Sequence, residues 1–227
     1  MQILEIRLLT NSLKKQIEFY SNVLGLNTSY LNDGAGAIDI GSSKLIFDEV
    51  TSINNPYYHF AVNIPENQIN EAIGWLKAKA DLIEYENSPL VNFPNWNAHS
   101  VYFYDAGGNI VELIARHSLD NKTDSEFSSA SFLNISEIGM PAENVKNFCG
   151  EINQKLNENL WWGNTETFAA VGDENGLFIV VSGQRNWFPT NKPSKIFPLA
   201  VTIENNSIKS LEYSPYKIAT KSSELKI

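Results

Sequence analysis

Along residues 2 to 9 apolar and polar positions alternate. Leu4, Ile6 and Leu8 take one face, and Glu5, Arg7 and Leu9 the other, the period-two pattern of a half-buried strand. Thr10, Asn11 or Ser12 can cap a helix through LKKQIEFYSNVLGL, where Leu13, Ile17, Tyr20 and Leu24 recur at helical spacing and Gly25 ends the run. Short strands follow at AIDIG and KLIFDEV, split by Gly41, Ser42 and Ser43. The pattern then restarts. YYHFAVNI alternates, Pro65-Glu66-Asn67 opens a helix around INEAIGWLKAKA, and the loop ENSPLVNFPNWNA leads to SVYFYD, the turn AGGN and IVELIA. Gly107, Gly108 and Asn109 supply the positive-φ positions of a tight hairpin.

Residues 118–130, SLDNKTDSEFSSA, are polar and read as a linker. Beyond them the first pattern returns. ISEIGMPAENVKNFCGEINQKL parallels LEIRLLTNSLKKQIEFYSNVLGL, with Glu137 standing where Glu5 stood, and FAAVG and LFIVVS parallel AIDIG and KLIFD. FPLAVTIENN resembles YYHFAVNIPEN, but only SLEYSPYKIATK is left to supply a further strand. Repetition on this scale is architectural. The predicted organisation is two complete strand–helix–strands modules in 1–117, the linker 118–130, and a degenerate third module with a fragment of a fourth in 131–227.

Composition narrows the function classes. The formal net charge of −9, from 26 acidic against 17 basic residues, repels a phosphate backbone, which argues against nucleic acid as a partner. No run of eighteen apolar residues occurs, and MQILEIRLLT reads as a strand and not a leader, so a soluble, cytoplasmic protein with no membrane partner is expected. The single cysteine, Cys149, permits neither an internal disulfide nor a Cys-x-x-Cys zinc cluster, and its helical setting marks it as a buried small residue. A G-x-S-x-G elbow and a phosphate-cradling glycine loop are both missing.

Three motifs, in order, carry a family likeness: the helix ending FYSNVLGL, the strand HFAVNIP, and the hairpin YFYDAGGNIVELIAR. They resemble the signature of the vicinal oxygen chelate superfamily, the glyoxalase, fosfomycin- and bleomycin-resistance and extradiol-dioxygenase type, with Ala106 in place of a usual proline. The likeness is good over residues 1–116 and weak over 133–203. It implies an α+β fold of paired βαβββ modules, whose curved mixed sheets form a cup around a divalent metal, Fe2+, Mn2+, Zn2+ or Ni2+. It also implies a small-molecule substrate and a homodimer as a candidate assembly. Carried over by position, His59 and Glu112 stand at the opening and closing strands of the second module. Counting fourteen residues back from Phe19 reaches Glu5, where the family has His or Gln.

Strand parity supports the first two. His59 shares a face with Tyr57, Ala61 and Asn63, opposite the apolar set Tyr58, Phe60, Val62 and Ile64. Glu112 lies between Ile110 and Ile114, where a carboxylate is costly unless paired or bound to metal. Two roles stay open for each: ligand or hydrogen-bonded cavity residue for His59, ligand and proton-transfer base or partner of Arg7 or Arg116 for Glu112, ligand or partner of Arg7 for Glu5. Tyr57, Phe93, Trp96 and His99 are the candidate substrate contacts, while Trp161, Trp162 and Trp187 are assigned to packing. Two functions follow: a glyoxalase-like lyase or ring-cleaving dioxygenase working through the metal, or a metal-free drug- or metabolite-binding protein of the same fold. On either reading the cup is expected within residues 1–116, with the second half structural.

Overall fold

The computed structural model describes residues 1–222 apart from Asp33, Gln184 and Ser207. The first module runs β1 (Gln2–Thr10), α1 (Leu13–Glu18), β2 (Thr28–Asn32), β3 (Ala35–Ile40) and β4 (Ser43–Glu49). The helix predicted to stop at Gly25 loosens after Glu18 into a π-helical turn, Phe19–Val23. The second module runs β5 (His59–Ile64), α2 (Ile69–Lys77), β6 (Leu82–Ile83), β7 (Val91–Phe93), β8 (Ala98–Tyr104) and β9 (Ile110–Arg116). The third has β10 (Asn134–Ala142), α3 (Val145–Leu156), β11 (Leu160–Gly163), β12 (Phe168–Asp173) and β13 (Gly176–Ser182). The fourth has no helix among its described residues: β14 (Leu199–Glu204) is followed by the hairpin β15 (Ser210–Tyr213) and β16 (Tyr216–Lys221), two strands where one was expected.

The modules pair in a way that moves the cup. One sheet has the order β15-β16-β14-β1-β4-β3-β2, the other β11-β12-β13-β10-β5-β9-β8-β6, with β7 on β8. The opening strands meet antiparallel at each centre, β1 on β14 and β5 on β10. The first module therefore shares a sheet with the fourth, and the second with the third. The expectation of a cup closed within residues 1–116 is corrected by this pairing: the second module's partner is the third.

The parallel ladders fix which residues correspond. Glu5 pairs with Lys44 and Arg7 with Ile46. Glu137 pairs with Leu177 and Gly139 with Ile179. His59 pairs with Ile110 and Ala61 with Glu112. Glu5, Glu137 and His59 thus hold one position of the repeat, and Ile46, Ile179 and Glu112 another. A register shift interrupts the antiparallel pairing just before Glu5 and again just before Glu137.

Between the sheets lies one apolar core. Ile6 and Leu8 of β1, Phe60 and Val62 of β5, Ile138 and Met140 of β10, and Val201 and Ile203 of β14 are buried in it together with Phe148 and Ile152 of α3. Residues 118–130 lie over the start of α2: Asn121 accepts from the Glu66 amide, and the Gln68 side chain donates to the Ser125 carbonyl. The sheets are also stitched at their ends. Ser43 Oγ donates to the Ile3 carbonyl (2.6 Å) and accepts from the Ile135 amide (3.0 Å).

Asp105 of the YFYDAGGN hairpin is a fold-building residue. Fully buried, it accepts from the amides of Gly107 and Asn109, the Asn109 side chain, Gln16 and the Tyr20 hydroxyl, all at 2.7–2.9 Å. It thereby ties α1 of the first module to the hairpin of the second. Burial raises its pKa, and these donors oppose the rise. Asp105→Ala orphans several buried donors and is expected to cost about 3 kcal/mol or more, read as a lower urea midpoint at unchanged slope.

Candidate functional site

Strand parity decides which side chains reach the concave face of the nine-stranded sheet. On β9, Val111, Leu113 and Ala115 enter the core between the sheets, so Ile110, Glu112, Ile114 and Arg116 face the other way. On β8, Val101 and Phe103 take the core side and Ser100 and Tyr102 the concave side, Tyr102 directly opposite Glu112. On β5 and β10 the same alternation turns His59 and Glu137 inward.

His59, Glu112 and Glu137 meet on the floor of a cavity of about 410 Å³. All three are buried, and one ligand-capable atom from each lies within 4.8 Å of the others. His59 Nδ1 sits 3.1 Å from the Ile110 carbonyl. A carbonyl only accepts, so Nδ1 carries the proton and Nε2 keeps its lone pair. Nε2 lies 3.6 Å from Glu112 Oε2 and 3.9 Å from Glu137 Oε2. The other oxygen of Glu137 is held by Arg116 Nη2, while Arg116 Nε donates to Asn63 Oδ1 at 3.2 Å. The guanidinium carbon stands 5.5 Å from the Trp96 ring centre.

The electrostatics follow from burial. Desolvation raises the Glu137 pKa to about 7, and the neighbouring Glu112 charge adds to the rise, against Arg116 and His59, which lower it. Desolvation also raises Glu112, opposed by the Ser100 and Tyr102 hydroxyls that lie against it and by Arg116. Burial lowers the His59 pKa, so its imidazole is neutral at neutral pH. Burial and the two carboxylates raise Tyr102 well above its usual range, which keeps its hydroxyl protonated.

Around this floor the walls are aromatic. Phe93, Trp96 and Tyr102 come from the second module, Trp162 and Phe168 from the third, and Trp187 and Phe188 from the segment after β13. The Trp187 ring lies 5.2 Å from His59. It can do so because residue 139 is glycine: a Cβ there would fall 2.4 Å from Trp187 Cη2. Gly139→Ala should therefore push the indole off His59, measured as increased acrylamide quenching of tryptophan fluorescence.

No protein-family model matches the sequence. The uncharacterised protein YraH of Bacillus subtilis (strain 168) is 27% identical over 127 residues, 50% of this chain and 97% of that protein. Among solved structures, glyoxalase I from Zea mays superposes with a TM-score of 0.57 at 11% identity, covering 96% of this chain and 91% of that one. A candidate dioxygenase from Bacillus subtilis gives a TM-score of 0.60 at 11% identity, covering 97% and 85%. The fold is shared with these glyoxalase and dioxygenase structures.

Within this cup the donor set fits a divalent ion: one imidazole nitrogen with a free lone pair and two carboxylate oxygens, clustered, buried and open to a cavity. Such an N/O set suits Fe2+, Mn2+, Zn2+ or Ni2+. Ile179, at the repeat position of Glu112, makes the fourth corner apolar.

Several sequence expectations are corrected. Glu5 stands at the repeat position of His59 and Glu137, but on the other sheet beside Lys44 and Thr202, outside the cavity lining. Of the alternative partners for Glu112, Arg7 pairs with Asp48 at 2.6 Å, and Arg116 pairs with Glu137 while its charge also acts on Glu112. His99, opposite Ala115, takes the face away from the cavity, where its Nδ1 lies 2.8 Å from His117 Nε2. Tyr57 is also outside the lining; its hydroxyl donates to the Pro193 carbonyl and Lys192 lies over its ring. Phe93 and Trp96 do line the cavity, as do Trp162 and Trp187, which had been assigned to packing. Glu137 was the missed member. Its signal was present in the repeat, where it matches both Glu5 and His59.

Proposed function

We propose that the chain is a metal-dependent lyase or ring-cleaving dioxygenase acting on a small organic molecule held in the cup between the second and third modules. The observation that carries this reading is the convergence of His59, Glu112 and Glu137 at the floor of an aromatic-walled cavity. These three residues would hold the ion, and the chemistry it supplies when bound is Lewis-acid polarisation of neighbouring substrate oxygens.

The chain's own groups divide the remaining work. The Ile110 carbonyl fixes the His59 tautomer and ring angle. Arg116 pins one oxygen of Glu137 and leaves Oε2 facing His59. Glu112, with its pKa raised by burial, is placed to accept and return a proton at a substrate carbon or hydroxyl. The protonated Tyr102 hydroxyl hydrogen-bonds the Glu112 carboxylate and holds it in place. Trp187 covers His59 and keeps bulk water from the floor.

A second reading, a metal-free binding cup, is favoured by one specific feature: Arg116 already supplies Glu137 with a buried counter-charge. Metal analysis after anaerobic purification separates the two. Near-stoichiometric iron, manganese, zinc or nickel, lost together with turnover on chelation, supports the enzyme. Less than about a tenth of an equivalent, with aromatic ligand binding indifferent to chelator, removes it in favour of the binder.

A further inference from the structure

We propose that His99 and His117 form a second metal site, a two-imidazole clip for a tetragonal ion such as Cu2+ or Ni2+, on the face of the nine-stranded sheet turned away from the cup. The proposal does not depend on what the cup binds.

Strand register brings the two rings together. His99 on β8 stands opposite Ala115 on β9. His117 follows two residues later, just past the end of β9, where its amide donates to the Asn97 carbonyl at 2.9 Å. Residues two apart share a face, so the histidines are diagonal neighbours. Val101 and Leu113 carry that face into the core between the sheets, and the pair lies at its margin. Both histidines are half-buried, and 30% of the His117 side chain is exposed, so an ion can reach them from solvent. His99 Nδ1 and His117 Nε2 are 2.8 Å apart, with the rings inclined at 69° and not stacked.

Tautomers and spacing then select the ion. Glu66 Oε2 lies 3.7 Å from His117 Nδ1, and the Glu66 amide is held by Asn121 Oδ1 at 2.8 Å. A carboxylate on that side favours the proton on Nδ1 and leaves the lone pair on Nε2, the outer-shell arrangement of metal-bound histidines. Without metal, that lone pair accepts from His99 Nδ1–H. Burial and the neighbouring His117 lower the His99 pKa, so its ring is neutral at neutral pH. When an ion binds, the His99 proton passes through solvent from Nδ1 to Nε2, which frees the second lone pair. Metal–nitrogen bonds of about 2.0 Å at a right angle put two nitrogens about 2.8 Å apart, against about 3.3 Å at the tetrahedral angle. The observed 2.8 Å matches the right angle, the geometry of Cu2+ and Ni2+. Among the described residues no carboxylate or thiol joins the pair as a third ligand, so water fills the other positions and the ion is exchangeable.

The test is a Cu2+ titration of the full chain followed by electron paramagnetic resonance. The cup holds a single imidazole, so it cannot give a spectrum with two coupled nitrogens, and one measurement tells the two sites apart. The wild type is expected to show the two-nitrogen signal. His99→Gln and His117→Gln should each weaken that binding by at least about tenfold, since losing a ligand costs no less than losing a group that orients one. Any one-nitrogen signal from the cup should be the same in both variants. A wild type without the two-nitrogen signal, or a signal of unchanged affinity in either variant, overturns the proposal and leaves a hydrogen-bonded pair that only clips β8 to the end of β9. The wild-type spectrum needs no substitution, so a variant that misfolds cannot decide the result.

Discussion

Glu137→Gln is expected to weaken divalent-ion binding by about a hundredfold or more, while Glu5→Gln should change it by less than about twofold. Altering groups that merely orient ligands already costs about ten- to a hundredfold in affinity, and Glu137 offers its own oxygen to the cluster. Glutamine is the better replacement because its carbonyl can still accept from Arg116. Alanine would strand a fully buried guanidinium that already has one nitrogen, Nη1, without a hydrogen-bond partner, a loss of about 3–5 kcal/mol. Glu5 makes the sharper control. It has the same residue type, the same repeat position and the same register shift before it, yet it belongs to the other sheet. Isothermal titration with Mn2+ reads both variants. Loss in Glu5→Gln together with retention in Glu137→Gln would remove the site from the second and third modules.

How much of this was legible in the sequence depends on which physical rule carried the residue. His59 and Glu112 were readable because strand alternation and burial cost act locally: a carboxylate between Ile110 and Ile114 announces its own expense. The repeat itself was readable for the same reason, since each module restarts with an alternating strand. Which opening strands become neighbours is a non-local matter. His59 and Glu137 are brought together by the antiparallel contact of β5 with β10, across the polar linker, and nothing in residues 1–116 encodes that partner. Glu5 was chosen by proximity in sequence, and the sheet order reassigns its role to its own repeat-mate. His99 failed for a simpler reason. It lies one residue from Ser100, and a one-residue step on a strand changes the face. The aromatic wall was half visible: Phe93 and Trp96 lie in a loop that invited a pocket, whereas Trp187 depends on the space left by Gly139.

The pH dependence of metal binding should follow Glu137 and not His59, and its sign can be worked out. An imidazole with an ordinary pKa would compete with the metal by protonating below about 6.5. Burial lowers the His59 pKa, so proton competition there begins at lower pH. Glu137, pushed up to about 7, holds a proton across the range where the histidine is already neutral. Affinity for Mn2+ is therefore expected to rise with pH up to about 7 and to fall about tenfold for each pH unit below it, with a proton released on binding. The metal-free protein should show the opposite trend. A carboxyl whose folded pKa lies above its unfolded value of 4.5 contributes most at low pH, and that contribution is lost as pH rises from about 4.5 through about 7. Thermal unfolding of chelator-treated protein should move to lower temperature over this window, and added Mn2+ should reverse the shift most strongly at its upper end. Glu137→Gln should flatten the metal-free profile, because no proton is exchanged at that position. A wild-type profile that keeps its slope in Glu137→Gln would move the titrating group to Glu112, the other floor carboxyl that burial raises.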